Sequence, residues 1–401
     1  MIRKIIRTGI KMLEMLLLLL LFFHNETTVY AQEREQKEEN EASITDRAQD
    51  YMEDFSLEEI DDTLNELQIF NGYEGESFQD SVNDMISRGE SFSVKTWLKE
   101  LVNRIENELS FQHTIFLSLC VLALSCAVFT AFTRAFSGKQ LSQTGFFVTY
   151  LMLFSMLSVV FREGVVVAQK VIEAFGTFMK AMLPAYFLSI SVQIGAEGSV
   201  TMYELALGVL NVSCWMLQTI FLPLIQIYFL LMMGQHLSGE DRISKLVEGV
   251  EKLVTNGLKI VLGAIIGLQV IEGMVVPLTG QVKKAVILKG AAMVPGVGNA
   301  WESVAQTVLG AGSLIQGAIG SVGVIFLVLI GVIPMIRLWL YRAYFALTSI
   351  LVQPVSDHRV TECIHGASKA SGMLMSAVLI SFLTMFFTIA LLAVTVPKGV
   401  L

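Results

Sequence analysis

Residues 318–336 read Ala-Ile-Gly-Ser-Val-Gly-Val-Ile-Phe-Leu-Val-Leu-Ile-Gly-Val-Ile-Pro-Met-Ile, without a single charge. As a helix this stretch rises about 28 Å, close to the ~30 Å hydrocarbon thickness of a bilayer. Apolar runs of similar character cover 113–133, 145–161, 258–279 and 371–396, and a less regular one covers 183–235. The expected fold is therefore all-α, a polytopic helical membrane domain over 113–401 with six to eight spans. Membrane strands would show as short alternating segments, which are absent.

Charge divides the chain in the same place. Residues 32–110 hold 22 acidic and 7 basic side chains, a net of −15, whereas residues 111–401 hold 12 and 17, a net of +5. The formal net charge of −8 describes neither part. Ahead of both, Arg3, Lys4, Arg7 and Lys11 precede the apolar run Met15–Phe23, and Val29 and Ala31 stand at the −3 and −1 positions of a cleavage site. That order predicts a signal peptide over 1–31; nine apolar residues are short for a span, and an uncleaved anchor is the alternative.

The segment 32–112 is expected to be a small acidic extracytoplasmic domain with three or four short helices. Ser56 with Glu59 and Ser77 with Asp80 have capping-box spacing, and Leu57, Ile60, Leu64 and Phe78, Val82, Ile86 follow at helical intervals. Trp97 to Leu109 form a further stripe leading into the first span. The negative surface either recruits a basic partner or only solvates the domain; it opposes nucleic acid and anionic lipid, which both present phosphate.

With the acidic domain outside, Arg134 and Lys139 fall on the cytoplasmic side, as basic loops prefer. Placing Arg242, Lys245, Lys252 and Lys259 there too requires one net crossing between 183 and 235, predicted as a re-entrant segment from Pro184 to Ile194 followed by a helix bent at Pro223. Ser238 and Asp241 then open an amphipathic helix carrying Ile243, Leu246, Val247, Val250, Leu253 and Val254 on one face, expected along the membrane surface or against neighbouring helices. Lys283, Lys284 and Lys289 fall outside, against the rule.

Candidate functional residues are sparse. Glu197, Glu204, Asn211 and Gln218 recur every seven positions, with Thr201 between the first pair, and so share one polar edge of a helix; Glu272 follows in another span. Carboxylates inside a membrane usually face a bundle interior or a water-filled path, and the plainer alternative is hydrogen bonding between helices. Gly263 and Gly267, and Gly310, Gly312, Gly317, Gly320 and Gly323 before the next span, are read as packing sites, with homo-oligomerisation as the sharper option. Asp357, His358, Glu362, Cys363 and His365 carry metal-ligand chemistry but not a recognised metal spacing, and a polar loop is the expected reading, with no metal and no cofactor. No nucleophile with a base, no paired acid and base and no phosphate cradle is evident, so the chain is not expected to be an enzyme. Cys120, Cys126 and Cys214 lie in apolar runs, and the acidic segment has no cysteine, which excludes a disulfide-stapled ectodomain.

The C-terminal half carries a more specific pattern: Val282-Lys283-Lys284-Ala285, then Val294-Pro295-Gly296-Val297-Gly298, Thr307-Val308-Leu309-Gly310, Gly320-Ser321-Val322-Gly323, and Gln353-Pro354-Val355-Ser356-Asp357 with Arg359. In these runs, and in the order of leader, acidic segment and membrane region, the chain resembles the stage III sporulation protein AE family of endospore-forming bacteria. The resemblance covers most of 110–396 and excludes His358 and His365. Around Pro184 and Gly195 it is looser, and Glu197 and Glu204 stand where smaller residues are expected.

The resemblance implies a non-enzymatic component of the channel complex joining the mother cell to the engulfed forespore. It also implies residence in the outer forespore membrane, with the acidic domain in the intermembrane space. Implied partners are the ring-forming, membrane and ATPase products of the same operon and a ring built from the forespore side. The competing reading is a stand-alone secondary transporter, with Glu204 or Glu272 carrying a proton.

Overall fold

A computed structural model describes residues 57–67, 77–88, 116–129, 139–194, 196–238, 243–292 and 298–395 apart from 355, together with the isolated positions 48, 131 and 132. The leader, Ser56 and the Trp97–Leu109 stripe lie outside the described residues. Helix accounts for nearly all of the described chain, and no strand occurs among the described residues.

The elements are α1 (Glu58–Glu66), α2 (Phe78–Arg88), α3 (Phe116–Phe129), α4 (Lys139–Ile194), α5 (Ala196–Trp215), a π-helical turn (Met216–Phe221), α6 (Leu222–Ser238), α7 (Ser244–Ala292), α8 (Gly298–Val352) and α9 (His358–Thr395). Five stretches are long and apolar enough to cross a membrane: Thr144–Ser191, Gly198–Gln235, Ser244–Ile271, Gly310–Val352 and His358–Ala390. The shorter apolar helix α3 makes a sixth candidate.

The bundle runs up and down. Cys126 of α3 donates to the Thr149 carbonyl of α4, the Tyr150 hydroxyl donates to the Met233 carbonyl of α6, and Ser349 near the end of α8 donates to the Thr361 carbonyl of α9. The α3–α4, α6–α7 and α8–α9 junctions therefore gather at one end, the end carrying Lys245, Lys252 and Arg359. The stretch for which the basic residues call for one net crossing folds as one helical rod from Ala196 to Ser238.

That rod corrects the re-entrant expectation. Pro184 lies inside α4, which continues to Ile194. A proline removes one backbone donor, and long apolar helices tolerate this where neighbours surround them, as Leu183 and Tyr186 are surrounded here. At Pro223 the adjustment is explicit: the missing N–H is preceded by the π turn, in which Leu222 N–H reaches the Leu217 carbonyl, five residues back. Of the two settings expected for the amphipathic helix, packing against neighbouring helices is the one found, although Leu246 and Leu253 of its expected apolar face are exposed. Its residues form the first turns of α7, a continuous helix of 49 residues, with Val247, Val254 and Leu258 packed inward.

Helix α8 and its partner α9 form the centre. In the most apolar window of α8, 83% of residues are buried within the protein, and 72% in that of α9, against 28% for α7 and 33% for α4. The stretch 318–336 is thus apolar because protein surrounds it. Phe175, Phe178, Met182, Phe326 and Phe382 fill the space between α4, α8 and α9. The acidic helices pack there too: the Phe78 ring of α2 is 6.2 Å from Phe178 and 5.4 Å from Phe326.

Candidate functional site

Two polar systems stand out in this apolar framework, one inside the bundle and one on its surface. The inner one is uncharged. Gln269 of α7 donates to the Thr388 hydroxyl (2.5 Å) and to the Thr384 carbonyl (3.3 Å) of α9, and Gln316 of α8 donates to the Tyr186 hydroxyl of α4 (3.3 Å). Among the described residues no Asp, Glu, Lys or Arg is buried, so these amides and hydroxyls join helices without carrying charge.

The outer system includes the predicted polar edge. Thr201, Glu204 and Asn211 are all exposed on α5, opposite its packed face of Met202, Ala206 and Leu210. The Asn211 amide turns back to the Leu207 carbonyl of its own helix (2.9 Å). Gln218 is half-buried in the π turn. The side chains of Glu197 and Glu272 lie outside the described residues. The edge therefore faces away from the bundle. Periodicity placed these residues on one side of a helix, but only packing decides which side is inside.

The glycines also separate by position. A Cβ on Gly320 would stand 3.2 Å from the Tyr186 ring, on Gly323 against Met182, and on Gly331 2.9 Å from Phe175; Gly263, Gly267 and Gly317 have nothing within 4 Å. Close helix approach is seen at the first three; Gly320 and Gly323 belong to the glycine-rich stretch read as packing, whereas nothing in the sequence marked Gly331.

At the junction end, Asp357 caps α9 by accepting the Arg359 N–H at 2.9 Å, and the Arg359 guanidinium lies 5.7 Å over the Phe146 ring. Gln353 and Pro354 are exposed in the α8–α9 turn. Cys363 is buried against Met233, while Glu251 of α7 accepts from Lys369 of α9 (3.2 Å) and from Tyr228 of α6 (3.3 Å). Among the described residues no group of three or more His, Cys, Asp or Glu side chains is arranged to hold a metal ion. Gly310 lies within α8, Gly298 opens it, and Pro295 and Gly296 lie outside the described residues.

The profile described as Stage III sporulation protein AE matches residues 76–396, from the start of α2 to the end of α9. The chain belongs to the stage III sporulation protein AE family. A curated relative, Stage III sporulation protein AE of Bacillus subtilis (strain 168), is 21% identical over 361 residues, which is 89% of this chain and 90% of the relative. No solved structure matches. The stage III family pattern thus includes α2, so its Phe78 contact falls within the shared region, whereas α1 precedes it.

Proposed function

We propose that this protein is a non-enzymatic membrane component of the channel complex between mother cell and forespore. It would reside in the outer forespore membrane with α1 and α2 toward the intermembrane space. The observation that carries the reading is the family match across the whole helical bundle, from α2 through α9. The architecture supports it: a fixed up–down bundle, an acidic helical pair seated on that bundle, and basic helix ends gathered at the opposite junctions. Its partners would be the ring-forming, membrane and ATPase proteins of the same operon and a forespore-side ring. For a stand-alone transporter, Glu204 points away from the interior where such a mechanism needs its carboxylate, and the side chain of Glu272, the other proton carrier expected, lies outside the described residues.

The test is late forespore-specific reporter activity after engulfment, in a sporulating host lacking its own counterpart. Restored reporter activity and heat-resistant spores are expected on adding this gene. Normal membrane accumulation without restoration, together with unimpaired sporulation on deleting the gene from its native host, would refute the proposal.

A further inference from the structure

One cation of the central helix pair has no anion. Arg342 of α8 is half-buried, and its guanidinium lies against α9 at Gly372, where a Cβ would stand 3.2 Å from Cζ, 3.2 Å from Nε and 3.3 Å from Nη1. Glycine leaves the space that the group occupies. The backbone at this level is fixed by the Ser368 hydroxyl, which donates to the Arg342 carbonyl at 2.9 Å. Among the described residues, however, no carboxylate, hydroxyl or carbonyl accepts from any of the five N–H donors of the side chain. Glu251, which faces α9 one turn before Gly372, is already engaged by Lys369 and Tyr228.

The level of Arg342 in the bundle indicates what reaches it. Every exposed side chain of α3, and every one of α4 from Thr144 to Val159, is uncharged, and most are large and apolar. The α4 stretch is about 24 Å of helix, near the ~30 Å thickness of bilayer hydrocarbon. This belt ends at one level on both helices. Phe116, the first residue of α3, stacks on Tyr344 of α8 with ring centroids 5.1 Å apart. On α4 the belt gives way to the exposed Arg162 and Glu163, and at Gly164, the next residue, a Cβ would be 3.4 Å from the Tyr341 ring. Arg342 lies between these two contacts, at the edge of the belt, where a bilayer presents its phosphates.

Arginine does not shed its proton in a protein, so a half-desolvated guanidinium without an acceptor draws an anion instead. Its planar fork matches two oxygens of one phosphate, which the point charge of lysine does not. Basic pockets between membrane helices hold anionic headgroups by this chemistry.

We propose that Arg342, seated on Gly372, binds the phosphate of an anionic phospholipid at the α8–α9 groove. The site needs only the membrane bundle and is independent of the channel reading above.

The test titrates phosphatidylglycerol into the full-length protein in a neutral detergent and follows the melting temperature, with phosphatidylcholine and inorganic phosphate as comparison ligands. A saturable rise is expected with phosphatidylglycerol, at lower concentration than with either comparison ligand. Arg342→Gln is expected to raise the half-saturating concentration by about tenfold or more, the factor contributed by one charge-assisted hydrogen bond. Arg342→Lys should raise it by a smaller factor, and Lys170→Gln, on the exposed face of α4, should leave it unchanged. The melting temperature without lipid reports whether each variant is folded; if Arg342→Gln is not, Arg342→Lys decides. A wild-type midpoint in the folded Arg342 variants, or no saturable rise in the wild type, would overturn the site. Equal midpoints with phosphatidylcholine or with inorganic phosphate would overturn the anionic lipid as its ligand.

Discussion

The Phe78 ring meets the Phe326 ring edge-on, 5.4 Å between centroids, and so fastens the acidic helices to the most apolar helix of the chain. Phe78, Val82 and Ile86 are all buried, so α2 is held by a continuous apolar face. Removing a buried phenylalanine typically costs about 3–5 kcal/mol. Phe78→Ala is expected to release α1 and α2 while the bundle stays folded. Limited proteolysis should then cut between Leu67 and Ser77 in the variant far faster than in the wild type; equal cleavage rates would show that other contacts hold the pair.

The two acidic helices are also joined to each other by a single carboxylate. Asp61 of α1 accepts the N–H groups of Phe78 (2.6 Å) and Gln79 (3.1 Å), while Ser77 accepts the Asp80 N–H (3.0 Å). Together they satisfy three of the four N–H groups that a helix start leaves open. Asp61→Ala should weaken α2 by about 1–2 kcal/mol, in the range of a lost N-cap, and Asp61→Asn should recover most of it. Hydrogen exchange of the first turn of α2 would report the difference, and identical protection in Asp61→Ala would remove the cap from the account.

Sequence spacing made the Ser77–Asp80 cap legible, but not the part played by Asp61, because that contact depends on how α1 folds back. The same limit recurs along the chain. Apolar runs located the long helices, yet Arg162 and Glu163 looked like the end of a span when they lie on the exposed face of an unbroken α4. Pro184 read as a break because a lone helix would lose a hydrogen bond there, and the surrounding helices make the rod continuous. The seven-residue rhythm of Glu204 and Asn211 fixed a common edge, while its outward direction came only from the packing of Met202, Ala206 and Leu210.

Glycine substitutions should divide accordingly. At Gly331 a methyl group would stand 2.9 Å from the Phe175 ring, which is fully buried and already against Phe382. The ring has no room to retreat, so Gly331→Ala is expected to cost about 1–3 kcal/mol, as overpacking does. Gly263→Ala and Gly267→Ala meet nothing within 4 Å and should leave thermal stability in detergent unchanged or slightly raised, since alanine is the better helix former. The reverse order of melting temperatures would invalidate the α4–α8 packing.

The ion pair between Lys369 and Glu251 offers a test at the junction end. Its side chains are 47% and 33% exposed, and the Tyr228 hydroxyl also donates to the carboxylate. Solvent competes for both partners, which holds such a pair below about 1 kcal/mol and makes it sensitive to salt. Lys369→Met keeps the length of the side chain and should lower stability by no more than that amount, with the gap from wild type closing in about 1 M salt. A larger, salt-independent loss would mean that Lys369 anchors α9 to α7 in a site shielded from water, and Tyr228→Phe should then show a loss of its own, because its hydroxyl would be the remaining donor to Glu251.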